Sequence, residues 1–283
     1  MGARKYSPAL NCLTKAVLAL LLIFESNAFA SLVLIRFDQQ RLIVAAESRQ
    51  SYGPWFDDNV CKVIQVDPRT FFAATGRASF LNLKTKEAIW SAFSIARSAF
   101  RESRRLTGYG FIQFIAIWTE MMRERYQQML LREPEALIGA LKDDTISTGI
   151  FGHASERGIA VYSVKLRYAL PPVVVYPTVT SLMSPLHAGY RYEFGDATAL
   201  ALTNEFFANE SDRAKEANKA FLDAVKPFNT DDEEAQRLRR AIEFAVEWIP
   251  DKKIIGGPID TIVVQPGRPI DWKSTPRNCA MPE

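Results

Sequence analysis

Two periodicities alternate along this chain, and their order is the feature that most restricts its fold. Short apolar, β-branched runs fill the part directly after residue 30, and apolar residues at helical spacing follow from about residue 81. A second strand region, a second helical region and a late strand come next. Two antiparallel sheets that share a core, with helices on their outer faces, would bury all these apolar faces. The order therefore predicts an α+β fold of four layers, αββα.

The first half of the pattern contains four strands and two helices. The strands form two hairpins separated by a Gly-Pro turn at Gly53–Pro54. They are predicted at Ser31–Phe37, Arg41–Ala46, Cys61–Val66 and Thr70–Thr75. The first helix is indicated by Leu81, Ala88, Ile89, Ala92, Phe93, Ala96 and Phe100. The second helix is predicted at Phe111–Leu131.

The second half repeats this order. Its strands are predicted as a hairpin with an extension, at Ile146–Phe151, Ile159–Leu166 and Val173–Tyr176. The segment Pro177–Phe194 is rich in proline and aromatic residues and predicts mostly loop. Two helical regions and the late strand follow at about 198–225, at 231–249 and at Ile254–Val264, and Thr230 and Glu233 have the spacing of a capping box. We expect one domain over 31–283, because no repeat or composition break divides it.

Residues 1–30 have the three-part plan of a secretory signal peptide. Basic residues come first, at Arg4, Lys5 and Lys15. The apolar run Ala16–Phe24 follows and is too short to span a bilayer comfortably. Small residues end the stretch at Ala28 and Ala30. We therefore expect cleavage between Ala30 and Ser31 and export of the mature chain, into a periplasm or out of the cell.

The mature chain would be close to neutral. The whole chain carries a formal net charge of +3, and residues 1–30 contain three basic residues and one acidic residue, which leaves +1. This balance gives no reason to expect nucleic acid or an anionic membrane as a partner. The two histidines, His153 and His187, lie in no metal-ligand or nucleophile-elbow pattern. No metal or organic cofactor is expected.

Two cysteines remain outside the predicted leader. Cys12 leaves with the signal peptide, and Cys61 and Cys279 stay. In an oxidising compartment these two could form a disulfide, but the sequence does not place them in space. A disulfide and two free thiols are both left open.

Four short segments share the residue types and the order of one known family. Leu42–Arg49 has the pattern apolar-Ala-Ala-acid-Ser-Arg, Cys61–Val66 is a strand that carries a lysine, and Phe72–Gly76 ends in glycine. Ile255–Asp260 contains a Gly-Gly turn before the late strand. Together they resemble the proteasome β subunits, which are Ntn (N-terminal nucleophile) hydrolases. The resemblance is good over the first 50 mature residues, moderate at 146–166 and 231–264, and limited to helical character at 80–145.

The position of Ser31 makes the resemblance specific. In the family, cleavage exposes a threonine whose hydroxyl attacks, and an acid lies sixteen residues further on. Glu47 lies sixteen residues after Ser31, and the predicted signal-peptidase site falls directly before the same serine. The resemblance implies that Ser31 is the nucleophile and that its own α-amine, with a pKa of roughly 7.7 to 8.0, takes the proton. A free N-terminus at Ser31 is then required.

The resemblance also assigns roles to four other residues. Lys62 would lie against the nucleophile as a cation, and Glu47 would pair with Lys62 and hold it in place. The backbone N–H of Gly76 would point at the oxyanion, since the lack of a side chain allows a close approach. Arg49 would brace the turn after Glu47 rather than react.

The chain departs from the family pattern near the nucleophile. Serine replaces threonine, as in other Ntn hydrolases, and Glu47 replaces an aspartate, which moves the carboxylate unless the backbone compensates. The interval from Ser31 to Lys62 is one residue shorter than expected. A deletion around Gly53–Pro54 would absorb this difference.

The late part of the chain departs further. The family carries an aspartate and a serine near the Gly-Gly turn, and these positions fall around Asp251 and at Ile255. Asp251 could serve after a shift of one residue, whereas no serine is present. The segment Gly195–Ala197 would correspond to a Gly-Ser-Gly segment, with Asp196 in place of the serine. Asp251 and Asp196 are therefore candidate supporting residues.

Each candidate also has a simple structural explanation when taken alone. Ser31 would be a small residue after a cleavage site, Lys62 a solvated lysine at a strand edge, and Glu47 a turn carboxylate, while Gly76 would only end a strand. Their joint register favours a catalytic interpretation. The predicted function is hydrolysis of an amide bond, in a peptide or a small acyl-amide, through an acyl-enzyme on Ser31. The family's ring assemblies suggest a homo-oligomer.

Two other hypotheses stay open. The chain could be a non-catalytic relative that keeps the fold for assembly or binding, which the missing late serine and the Glu47 substitution favour. It could also be a cytosolic protein whose first 30 residues are a propeptide that is removed autocatalytically. The substrate and the host cell type are not indicated by the sequence.

Overall fold

The chain folds into a mixed arrangement of helices and antiparallel sheets. A computed structural model describes residues 31–37, 40–52, 55–81, 88–106, 110–132, 134, 144–170, 174–182, 191–195, 197–224, 231–251, 255–274 and 279. Its helices are α1 (Ala92–Arg105), α2 (Phe111–Arg132), α3 (Ala197–Ala208), α4 (Asp212–Ala224) and α5 (Asp231–Trp248). The predicted α+β class is therefore confirmed at this level.

The strands of the first half of the chain include two short hairpins. They are β1 (Leu32–Phe37), β2 (Leu42–Glu47), β3 (Gln50–Tyr52), β4 (Trp55–Asp57), β5 (Val63–Asp67), β6 (Thr70–Gly76), β7 (Ser79–Leu81) and β8 (Ala88–Ser91). The strands of the second half are β9 (Thr145–Ser155), β10 (Gly158–Ala169), β11 (Val174–Ser181), β12 (Arg191–Gly195), β13 (Ile259–Val264) and β14 (Asp271–Trp272).

Two five-stranded sheets contain most of the strands. The first sheet has the order β12-β1-β2-β13-β14 and the second has the order β11-β10-β9-β6-β5, with antiparallel pairing throughout. In the first sheet Leu34 pairs with Ala45 of β2 and with Glu193 of β12. Strand β1 thus lies inside its sheet, and β2 joins it to β13, which comes late in the sequence.

The two sheets share one hydrophobic cluster. It combines Val33, Ile35 and Val44 from the first sheet with Phe71 and Ile150 from the second. The alternate residues of β1, such as Leu34, belong to a different cluster. Because successive side chains of a strand point to opposite faces, β1 is buried on both faces from Leu32 to Ile35, which explains the apolar run over these residues.

Each sheet also packs against helices. Phe72 and Phe151 of the second sheet lie in one cluster with Phe93 of α1 and Trp118 of α2. In the first sheet, Leu34 lies in another cluster with the helical residues Ala199, Phe206, Ala214, Leu238 and Phe244. The aromatic ring of Phe72 is 5.2 Å from that of Trp118 and 5.1 Å from that of Phe151. Aromatic contacts at such distances add to the stabilisation from burial.

The first predicted helix begins later than the sequence pattern indicated. Leu81, Ala88 and Ile89 were assigned to it, but they lie in β7 and β8, which pair with each other. Ile89 is 60% exposed, so it does not continue the buried face of the helix. The helix starts after Ser91, whose hydroxyl accepts a hydrogen bond from the backbone N–H of Phe93. The N-cap at Ser91 thus sets the first residue of helix α1.

The segment Pro177–Phe194 was predicted as mostly loop, and this was wrong for both of its ends. Residues 177–181 continue β11, and Pro177 pairs with Leu166 of β10. Proline is tolerated there because β11 is an edge strand. Residues 191–194 belong to β12, which pairs with β1. Both strands depend on pairing with strands elsewhere in the chain, β10 and β1, and the local composition does not indicate such pairing.

Other boundaries also moved. The helical region predicted at 198–225 is divided at Asn209, whose φ of 60° ends α3 in the left-handed conformation. The late strand starts at Ile259 rather than Ile254, because Gly257 has a φ of 74° and turns the chain beforehand. The hairpin of β3 and β4 was not predicted. Gly53–Pro54 and Thr230 lie outside the described residues.

Cys61 and Cys279 form a disulfide, which resolves the alternative that the sequence left open. The bond joins positions 218 residues apart in the sequence. Close to it, the backbone N–H of Gln65 donates to the carbonyl oxygen of Cys279 at 3.2 Å. Cys279 is therefore fixed against β5 and the residue before Lys62.

Replacing both Cys61 and Cys279 by serine is expected to lower the free energy of unfolding by about 2–4 kcal/mol, because the long closed loop restricts the unfolded chain. Urea denaturation of the oxidised protein and of the double variant measures this difference. A reductant should lower the wild-type midpoint and leave the variant unchanged. Equal midpoints for the oxidised wild type and the variant would contradict the prediction.

Candidate functional site

The main candidate residues lie at one end of the two large sheets. In the first sheet, Ser31 directly precedes β1, and Glu47 ends β2 opposite Ile259 at the start of β13. In the second sheet, Lys62 directly precedes β5, and Gly76 ends the neighbouring β6. Since neighbouring strands run antiparallel, the start of one strand lies beside the end of the next. The fold thus brings together residues that are up to 45 positions apart in the sequence.

The contact between Lys62 and Ser31 joins the two sheets. Lys62 Nζ donates a hydrogen bond of 2.6 Å to Ser31 Oγ. Both residues are buried, with 1% of their surface exposed. A lysine is almost never buried to this extent unless its ammonium group is paired. The disulfide at Cys61 restrains the residue directly before Lys62 and helps to fix the start of β5.

The carboxylate of Glu47 is held by backbone donors from three parts of the chain. Oε1 accepts a hydrogen bond from the N–H of Leu32 at 3.1 Å. Oε2 accepts from the N–H of Arg49 at 2.6 Å and from that of Gly256 at 3.3 Å. Glu47 itself is fully buried. The side chain therefore connects the start of β1, the turn after β2 and the Gly-Gly turn.

Burial and mutual attraction act in opposite directions on Glu47 and Lys62. Burial raises the pKa of Glu47 to about 7, although the charge of Lys62 and the three backbone N–H groups oppose the shift. Burial also lowers the pKa of Lys62, and the charge of Glu47 opposes this. The resemblance implied that Glu47 holds Lys62; in the structure the two attract each other electrostatically, while backbone N–H groups supply the hydrogen bonds to Glu47.

An ion pair closes the turn beside the site. Arg49 Nε and Nη2 donate to Asp58 Oδ1 and Oδ2 at 2.6 and 2.8 Å, which is a bidentate arrangement. The hydroxyl of Ser48 donates to the Asp58 carbonyl oxygen at 2.5 Å. The sequence suggested that Arg49 braces this turn, but its partner was missed. Asp58 follows the unpredicted strand β4, so the sequence pattern contained no signal for it.

The Gly-Gly turn is closely packed against the same segment. A Cβ atom on Gly256 would lie 2.8 Å from Arg49 Cζ, and one on Gly257 would lie 2.6 Å from Ser48 Oγ. The carbonyl oxygen of Gly256 accepts from the N–H groups of Ser48 and Arg49 at 3.2 and 3.0 Å. Two glycines are thus needed for this turn to approach the strand end that carries Glu47.

Gly76 lies in a conformation that favours glycine. Its φ is 76°, and an added Cβ would lie 2.8 Å from the carbonyl oxygen of Ile146. The N–H of Arg77 donates to that same oxygen at 3.0 Å. Gly76 is close in the sheet to Lys62, because the Lys62 carbonyl oxygen accepts from the N–H of Ala74 at 3.2 Å. Its assignment as an oxyanion donor stays a prediction.

A second glycine contacts the nucleophile candidate directly. Gly195 pairs with Leu32, and a Cβ atom on it would lie only 1.9 Å from the carbonyl oxygen of Ser31. Sequence reasoning had connected this glycine with the neighbouring Asp196 and not with Ser31. The φ of 151° at Gly195 explains why the position takes glycine.

Of the two late supporting residues, the structure describes Asp251, which is not part of the buried cluster. Asp251 is exposed, and Ile255 is fully buried at the position where the resemblance implied a serine. Asp196 lies outside the described residues. The described part of the structure therefore brings together Ser31, Glu47 and Lys62, with Gly76 on the adjacent strand.

Among the described residues, no group of three or more His, Cys, Asp or Glu side chains could hold a metal ion. Within the same part of the chain, no helix is long and apolar enough to cross a membrane.

The raised pKa of Glu47 makes the stability depend on pH in one direction. The carboxyl group loses its proton near pH 4.5 in the unfolded chain and near about 7 in the folded chain. Between these values the folded protein keeps a proton that the unfolded chain has lost, so raising the pH favours unfolding. The unfolding free energy of the wild type should therefore fall, relative to that of Glu47→Gln, as the pH rises across this window.

Urea denaturation of both proteins, at about pH 5 and about pH 7.5, measures this dependence. Glu216→Gln, which changes an exposed carboxylate on α4, is the matched control and should follow the wild type. A wild type and a Glu47→Gln variant with the same pH dependence would refute a buried Glu47 with a raised pKa.

Comparison with known proteins adds no assignment. No family model matches the chain, and no curated protein matches it. The buried contact between Ser31 and Lys62 is therefore the main basis for a functional interpretation.

Proposed function

We propose that the mature chain is an Ntn hydrolase of the proteasome-subunit type that cleaves an amide bond through an acyl-enzyme on Ser31. The proposed fold is the four-layer αββα sandwich of that family, formed by residues 31–283 as one domain. It is supported by the cluster shared between the two sheets and by the two clusters between sheets and helices. A peptide or a small acyl-amide is the proposed substrate class, and a homo-oligomer is the proposed assembly.

One observation carries the proposal. Lys62 Nζ lies 2.6 Å from Ser31 Oγ in a buried environment, and Ser31 is the residue that directly follows the predicted signal peptide. A buried serine hydroxyl without a catalytic role needs a hydrogen-bond partner, but a neutral group would serve, and burying a charge costs free energy. A nucleophile gives a reason for a charged partner, because a nearby cation stabilises the developing negative charge.

The chemistry uses the α-amine that cleavage before Ser31 would create. In the first step Ser31 Oγ attacks the substrate carbonyl carbon, and the amine takes the hydroxyl proton. The C–N bond then breaks, and the leaving amine receives that proton, which leaves an ester on Ser31. Water, activated by the same amine, hydrolyses the ester and restores the hydroxyl. Lys62 favours the neutral form of the α-amine, and the N–H of Gly76 is the proposed oxyanion donor.

Lys62 offers a second base in the uncleaved chain. In the precursor the nitrogen of Ser31 is part of a peptide bond and cannot accept a proton. The lowered pKa of Lys62 increases its neutral fraction, and a neutral Nζ at 2.6 Å could take the proton from Ser31 Oγ. This contact favours the hypothesis that the chain removes its own first 30 residues, as an alternative to signal peptidase.

Export of the mature protein remains part of the proposal. The disulfide between Cys61 and Cys279 supports it, because such bonds persist in oxidising compartments and are rare in the cytosol. The same bond speaks against the cytosolic form of the propeptide hypothesis.

A non-catalytic role is the second candidate function. Ile255, fully buried, stands where the family has a serine. The three backbone hydrogen bonds to Glu47 would also hold the strand ends together in a protein without activity. Such a chain would keep the fold for assembly or binding.

Ser31→Ala is expected to lower amidase activity by about 10³-fold or more, because the nucleophile is lost. Hydrolysis of a panel of fluorogenic peptide and acyl-amides by the mature protein provides the measurement. Ser94→Ala, which changes an exposed serine at the start of α1, should keep full activity. An electrophile that captures an N-terminal serine should label the wild type and spare Ser31→Ala. Equal labelling of both would favour the non-catalytic role.

The mature chain is expected to begin at Ser31. Mass spectrometry of the protein from the exported fraction measures its N-terminal residue. Processing that stops in Ser31→Ala, when the signal-peptidase site is blocked, would indicate self-cleavage. A chain that starts elsewhere would leave Ser31 without its amine and would contradict the proposed mechanism.

A further inference from the structure

A cavity of about 730 Å³ lies at the end of the second sheet that is opposite to Ser31. Its lining includes Val66 and Asp67 at the end of β5, the β5–β6 turn and His153 on β9. Lys62 lies at the other end of β5, roughly 13 Å from Val66 at 3.3 Å per residue. The cavity is therefore separate from the candidate active site.

The lining of this cavity is strongly basic. Four arginines contribute to it, namely Arg69, Arg101, Arg104 and Arg105. Asp67 is the one acidic residue among the lining side chains, and its Oδ1 accepts the backbone N–H of Arg69 at 2.7 Å. Arg69 also pairs with Glu156 at 2.6 Å. The other three arginines lie on α1.

The arginines of α1 are placed on one face of the helix. Arg101, Arg104 and Arg105 have the spacing i, i+3 and i+4, which puts their side chains close together. Arg101 Nη2 donates to Ser98 Oγ at 3.4 Å. Within the part of the chain that the structure describes, neither Arg101 nor Arg105 has a carboxylate partner.

Helix stability alone does not explain this cluster. A cation in the last turn interacts favourably with the helix dipole, which accounts for Arg104 and Arg105. Arg101 lies outside that turn, and its charge repels that of Arg105 at the i, i+4 spacing. An anion between them would remove the repulsion.

The cavity also has an apolar part. Val66, Pro68 and the largely buried Phe100 contribute to the lining together with the arginines. An arginine guanidinium presents several N–H donors in a planar fork that matches phosphate and carboxylate groups. Apolar walls with a few convergent cations are typical of sites for small organic anions.

We propose that this cavity binds a small organic anion that carries several phosphate or carboxylate groups. Arg101 and Arg105 contact its anionic groups, and Phe100 and Pro68 contact its apolar part. This site does not depend on the proposed activity of Ser31.

Isothermal titration calorimetry with pyrophosphate and with citrate, at constant ionic strength set by chloride, tests the proposal. At least one of the two is expected to bind, and Arg101→Ala/Arg105→Ala should weaken that binding by about tenfold or more. Stronger binding of pyrophosphate would identify a phosphorylated ligand, and stronger binding of citrate a carboxylate ligand. If the double variant does not fold, Arg105→Ala alone replaces it with the same expectation.

The matched control is Arg125→Ala/Arg132→Ala, which removes two exposed charges from α2. It should bind as the wild type does. The absence of binding by both anions would overturn the proposal. Equal weakening in both double variants would also overturn it, because the effect would then reflect net charge and not the cavity.

Discussion

The burial of β1 on both faces is the constraint on which the rest of the structure depends. One face of this strand packs in the cluster shared with the second sheet, and the other packs against helices. Ser31 directly precedes this strand and is buried as well, with 1% of its surface exposed. The candidate nucleophile is thus enclosed together with the strand that it precedes. Its hydroxyl then needs a polar partner inside the protein, which Lys62 supplies.

That partner has its own requirements. A buried ammonium group is costly unless it is paired, and the carboxylate of Glu47 offsets part of the cost. Glu47 in turn is satisfied by backbone N–H groups from three segments, one of which is the glycine turn before β13. Each polar group of the site therefore depends on the next. A substitution of any one of them is expected to shift the strand ends that they hold in place.

The sequence predicted the larger elements well because their apolar periodicities are strong. Helix α2 was expected at Phe111–Leu131 and is observed at Phe111–Arg132, and the hairpin of β9 and β10 was also expected. The strand character of Ala88–Ser91 was missed, because its apolar residues also fit helical spacing. The pairing of β12 with β1 could not be read locally, since its partner lies more than 150 residues away.

For the candidate site as well, local sequence patterns were sufficient for some residues, whereas contacts between distant residues were not predicted. The positions of Ser31, Glu47, Lys62 and Gly76 could be proposed from spacing, and their contacts depend on how the two sheets meet. Asp58 was missed, and the contact of Gly195 with Ser31 was not predicted, because each acts through a backbone or ion-pair contact that no sequence motif marks. Ile255 could be assessed from the sequence alone. It shows that the serine hydroxyl of the resembled family is missing at this position, and in the structure the isoleucine side chain is fully buried.

The disulfide has a consequence for fragments of this protein. Because it links Cys61 to Cys279, a protease that cuts once anywhere between these residues would produce two pieces that stay covalently joined. The piece that carries Ser31 and Lys62 would keep its connection to the last strands, even if the helices in between were opened. A nicked molecule would therefore retain the side chains of its site in one covalent unit until a reductant separates the two pieces.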